Sequence, residues 1–239
     1  MAAPLRAPGA SGDHDGPSPI IYNQIPVLDI ITGGRNVGWG FYDEFVNQPG
    51  STSTLDGYVL TAYTSGTVVQ GGDVGGSIAL TPSATEDQGL QIQRGEAFYI
   101  DTPYKIAFEA RVKVTDVSEA DLLVGLAITD TSVLSTTDEI GLKLADGSAN
   151  ILYIVSKDSA GSATDTTADA ADATYVRLGC VIDGETSAKF YVNGVLYTTV
   201  TSGFPNDEAL APTIAIANGT NSANTTYVDW FYGYQWYKV

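Results

Sequence analysis

Lys189-Phe190-Tyr191-Val192-Asn193-Gly194-Val195-Leu196-Tyr197 is the stretch whose reading decides the fold. Two runs of β-branched and aromatic residues meet at Asn-Gly. That pair predicts a two-residue type I′ hairpin, because both turn positions require positive φ. Working outward, Tyr175 to Ile182 and Ile151 to Val155 are further strands, and Cys180 falls among the apolar positions of the first as a small core residue. Tyr104 to Val114 alternates cleanly, with Tyr104, Ile106, Phe108, Ala110, Val112 and Val114 on one face and Lys105, Glu109, Arg111 and Lys113 on the other. This predicts a half-buried antiparallel strand. Leu122 to Ile128 is continuously apolar, as expected of a central strand covered on both sides, and Thr225 to Tyr237 closes the chain as a long aromatic strand. Many short strands between turn signals, with no helical periodicity, predict an all-β antiparallel sandwich over residues 39–239.

Residues 1–38 read differently. Pro4, Pro8, Pro17, Pro19 and Pro26 argue against regular structure, yet Ile20, Ile21, Tyr22, Ile25, Val27, Leu28, Ile30 and Ile31 are apolar. A solvated tail would lack such clusters. The segment is expected to be an extended arm, ordered by lying on something and chiefly by contacts between subunits.

Charge restricts the partners. Eleven Lys and Arg stand against 28 Asp and Glu, for a net charge of −17, and no basic run occurs. Phosphate backbones and anionic lipid surfaces both need clustered cations, so nucleic-acid and membrane partners are disfavoured. No apolar stretch approaches membrane-spanning length. Met1 to Asp15 lacks an apolar leader core, so the chain is expected to stay in the cytoplasm or to leave inside a particle. One cysteine excludes an internal disulfide.

Three features together resemble the concanavalin A-like (laminin G/glucanase) jelly roll: Phe108-Glu109-Ala110-Arg111-Val112, the hairpin Phe190-Tyr191-Val192-Asn193-Gly194, and the ending Val228-Asp229-Trp230-Phe231 with Gln235. Further stretches are similar to tailed-phage virion proteins that carry this domain. They are Phe41-Tyr42-Asp43-Glu44-Phe45, Asp87 to Arg94 followed by Gly95-Glu96-Ala97-Phe98, Phe108-Glu109-Ala110-Arg111 again, Val124-Gly125-Leu126-Ala127 and Tyr227-Val228-Asp229-Trp230. This resemblance implies a capsid decoration protein on the outer surface of the virion. It would be a homotrimer touching the major capsid protein, with no catalytic role. The alternative is a glycan-binding module of a head fibre or tail, followed at a distance by a glucanase-like hydrolase.

A laminarinase-like enzyme would carry Glu-x-Asp-x-x-Glu on one strand, so that two carboxylates flank the glycosidic bond. The nearest segment, Glu119-Ala120-Asp121-Leu122-Leu123-Val124, ends in Val124. His14 has no nucleophile beside it, and no cofactor is expected. Asp165, Asp169 and Asp172 are clustered oxygen donors of the kind calcium takes, but a solvated acidic loop over residues 158–173 is preferred. Trp230, Tyr232, Tyr234 and Trp236 suggest either stacking on a sugar or the sealing of a subunit contact.

Overall fold

The computed structural model describes residues 16–25, 38–46, 55–63, 65–73, 75–131, 134, 136–220 and 222–237. One helical turn, α1 (Pro19–Tyr22), precedes strands β1 (Gly38–Asp43), β2 (Val59–Ala62), β3 (Gly66–Gln70), β4 (Ile78–Pro82) and β5 (Gly89–Gln93). Then come β6 (Tyr104–Val114), β7 (Ala120–Ala127), β8 (Glu139–Leu144), β9 (Asn150–Ser156) and β10 (Thr164–Asp169). The last five are β11 (Val176–Asp183), β12 (Ser187–Val192), β13 (Val195–Val200), β14 (Ala211–Asn218) and β15 (Thr226–Tyr237).

They build two antiparallel sheets. The first runs β13-β12-β11-β6-β15-β4-β3, with β1 pairing the C-terminal half of β15. The second runs β10-β9-β8-β7-β14-β5-β2. The sandwich inferred from the strand pattern is the observed jelly roll. Period-two alternation directs Phe108, Ala110 and Val112 of β6, Val124 of β7, Leu142 of β8 and Ile214 of β14 into one core between the sheets. Cys180 lies there too, fully buried. The hairpin is as expected: Asn193 has φ 51° and Gly194 φ 78° between β12 and β13.

Three sequence expectations need correction. β6 is buried on both faces, with Glu109 at 0% and Arg111 at 3% exposure, because it lies between β11 and β15 and its outer face is covered. The supposed loop at 158–173 contains the edge strand β10, whose short polar residues still pair with β9. Prolines do not keep the arm irregular throughout, since Pro19 starts α1, where a missing N–H costs nothing.

In the long last strand, a bulge at Asp229 resets the alternation. Val228 and Phe231 point into the core, whereas Trp230, Tyr232 and Trp236 cluster on the outer face of the first sheet.

Candidate functional site

The outer face of the second sheet carries the molecule's candidate site. Its central rows are small: Gly125 and Ala127 of β7, Gly141 of β8, and Ala215 and Ala217 of β14, whose neighbours in sequence fill the core. Small residues leave a depression that longer side chains rim. Gln91 and Gln93 of β5 are buried there. Gln91 Nε2 donates to the Asp130 carbonyl at 2.5 Å, and Gln93 Nε2 donates to the Ile128 carbonyl at 3.1 Å and to Thr213 Oγ1 at 3.0 Å. These bonds hold the chain after β7 across the sheet, and Leu134 packs on Leu123, Ala127, Ile154 and Ala215.

Beside Leu134 lies a pocket of about 330 Å³, lined among others by Asp87, Asp121, Lys143, Leu152 and Ala217. Burial pushes the Asp121 carboxyl up, against the opposing hydrogen bond from the Asp146 N–H at 3.1 Å. Lys143 Nζ lies 2.5 Å from Glu139 Oε1, four residues along the same strand face. Glu139 is 4% exposed, and its Oε2 has no hydrogen-bond partner. Asp121 is six residues from Ala127, which sits opposite Glu139. The two carboxylates are therefore ~20 Å apart along the strands and cannot together flank one glycosidic bond, which needs a separation of roughly 5–9.5 Å. The pocket sets the exposed Asp87 and the half-buried Asp121 beside one ammonium, Lys143, a donor and acceptor set suited to the hydroxyls of a small polar ligand.

The residues singled out in the sequence lie elsewhere. Glu119 ends a 3₁₀ turn, and Val124 is core. Asp165 accepts from Asn150 Nδ2 and the Thr167 N–H, and Asp172 accepts from the Val117 N–H. Among the described residues no group of three His, Cys, Asp or Glu is placed to hold a metal. His14, Val27, Leu28, Ile30 and Ile31 lie outside the described residues. Ile21 and Ile25 are buried against Trp230, Tyr232 and Trp236 of the same chain, with Tyr22 and Tyr234 partly buried around them, while Ile20 is 56% exposed. Burial of Ile21 and Ile25 thus requires no second subunit. Sequence reading missed the Glu139–Lys143 pair. The alternation of Glu139, Gly141 and Lys143 against Ile140 and Leu142 was the available signal.

Residues 84–233 match the family described as the Concanavalin A-like lectin/glucanases superfamily, and the chain belongs to it. No curated protein matches. Among solved structures, a protein of unknown function from Shewanella oneidensis MR-1 is similar with a TM-score of 0.62 and 15% identity, over 84% of this chain and 87% of that one. A beta-1,3-glucanase from Mycobacterium marinum gives 0.57 and 16%, over 81% and 97%. A pseudo beta-1,3-glucanase of Mycobacterium tuberculosis gives 0.59 and 13%, over 83% and 98%. At these identities the likeness is one of fold. It corrects the expectation of a non-catalytic chain, because the same sandwich is the scaffold of a glucanase.

Proposed function

We propose that this chain is a decoration protein of a phage capsid, acting as a homotrimer on the outer surface of the head and bound to the major capsid protein. The observation that carries the reading is the β13 edge of the first sheet, which pairs only with β12 among the described residues. There β13 exposes Val195, Leu196 and Tyr197 at 56%, 47% and 39%. An open edge strand with three consecutive exposed apolar residues invites pairing, and monomeric proteins usually blunt such edges with charge or proline. Assembly would cover it.

Two further features support the reading. The stretches similar to virion proteins interlock in space: Asp43 pairs with Arg94 at 2.5 Å, and Arg111 with Asp229 at 2.8 Å. Among the described residues six cations are held by the chain's own carboxylates, and the net charge of −17 suits a basic partner. The test is quantitative mass spectrometry of purified particles from lysates expressing this chain. Hundreds of copies per particle are expected, and Leu196→Lys should lower that number sharply. Particles free of the chain would refute the role.

A second reading is favoured by the pocket on the second sheet: a glycan-binding module of a head fibre or tail. Calorimetry with β-glucan oligosaccharides, with Lys143→Met as the control, separates it from the first.

A further inference from the structure

Residues 16–25 lie on the outer face of the first sheet, and beneath them sits a carboxylate with no exposed surface, Glu109. Its Oε2 accepts the Ser18 N–H at 2.8 Å, and Tyr232 Oη lies 3.4 Å from the same oxygen. Its Oε1 is buried without a hydrogen-bond partner. The strand position opposite Glu109 is Gly179. A Cβ there would fall 2.6 Å from Ile21 Cδ1 and 2.9 Å from Glu109 Cγ, so the absence of a side chain is what lets the arm settle. Arg177 Nη1 donates to the Gly16 carbonyl at 3.2 Å, which ties down the start of the segment.

The groups facing Glu109 are few. β11 offers Arg177, whose charge favours the ionised carboxyl, and β15 offers Tyr232. The arm offers Tyr22, edge-on to Tyr232 at 5.8 Å, and β1 offers Tyr42, stacked on Tyr232 at 6.2 Å. β12 adds Tyr191 to the same cluster. On its own strand, Arg111 is engaged by Asp229. Among the described residues no cation touches the carboxylate directly, so one backbone N–H and a distant hydroxyl are its main polar contacts.

We propose that Glu109 is a protonation-controlled latch for the N-terminal arm: residues 16–25 lie down firmly over the first sheet when this carboxyl is neutral, and their hold weakens when it ionises. A buried carboxylate with one oxygen unsatisfied is costly, and lifting the arm lets water reach it. The neutral acid keeps an acceptor for the Ser18 N–H and carries no charge to solvate. Burial pushes this carboxyl from its ordinary 4.5 up to about 7. For a carboxyl raised in the docked state, docking is strongest below the ordinary value. It weakens about tenfold per pH unit between the two values and levels off above the higher one.

The test uses the full chain in isolation, so its outcome is independent of any capsid role. The Glu109 carboxyl carbon and the Ser18 amide are followed by NMR from about pH 4 to about pH 9, the span that brackets both values. Both signals should move with a shared midpoint near 7, reporting a docking constant lowered on the order of a hundredfold. Glu109→Gln should hold the Ser18 signal at its docked position throughout. If that variant misfolds, Gly179→Ala serves instead: it crowds Ile21, lifts the arm and should return Glu109 to the ordinary carboxylate range. A Glu109 that titrates near 4.5 in the intact chain, or a Ser18 amide indifferent to it, overturns the latch.

Discussion

Arg111 and Asp229 show what a single buried pair must satisfy in this sandwich. Their side chains are 4% and 1% exposed, joined at 2.8 Å, and the guanidinium also lies 3.9 Å from the centre of the Tyr175 ring. Two charges removed from water leave little net gain, but stranding one is expensive. Asp229→Ala should therefore cost about 3–5 kcal/mol in urea unfolding, whereas replacing both partners by apolar residues should recover most of it. At the hairpin, Gly194 has φ 78°, and an added Cβ would also fall 2.7 Å from Ser18 Oγ. Gly194→Val should lose roughly 1–3 kcal/mol of stability, read as a lower melting temperature. Burial pushes the Cys180 thiol up, so it should resist aromatic disulfide reagents in the native protein and react on denaturation.

Among the elements, the arm and β15 depend on each other. The alternation of Trp230, Tyr232, Tyr234 and Trp236 was legible in the sequence, but the bulge at Asp229 that turns Val228 inward with Phe231 was not. What covers the outward set was not legible, because Ile21 and Ile25 are some two hundred residues away and no local pattern records that pairing. Ile21→Asp should uncover Trp230 and Trp236, shift their emission to the red and leave the jelly roll folded. An unchanged spectrum would mean that the arm contributes nothing to this face. β10 escaped notice for a related reason. Thr164–Asp169 has weak strand propensity, and β9 supplies the pairing that makes it a strand.

The molecule as a whole carries a net charge of −17. Like charges spread over a folded surface repel, and salt screens them within about 10 Å at 0.1 M. Raising sodium chloride from roughly 0.01 M to roughly 0.5 M should lift the melting temperature by a few degrees. A lower melting temperature in salt would show that the ion pairs outweigh the repulsion.

The all-β class, the antiparallel pairing, the type I′ hairpin and the identity of the core were determined by the sequence alone. Period-two alternation and turn chemistry are local properties, and each is written within a few adjacent residues. Only the tertiary structure decided which outer faces are covered, that Glu109 is sealed beneath Ser18, and that Asp87, Asp121 and Lys143 line one pocket. Those arrangements join residues from strands far apart in the chain, where sheet order sets proximity. Burial, and with it the charge state of a carboxyl, is a property of that assembled environment and not of the residue.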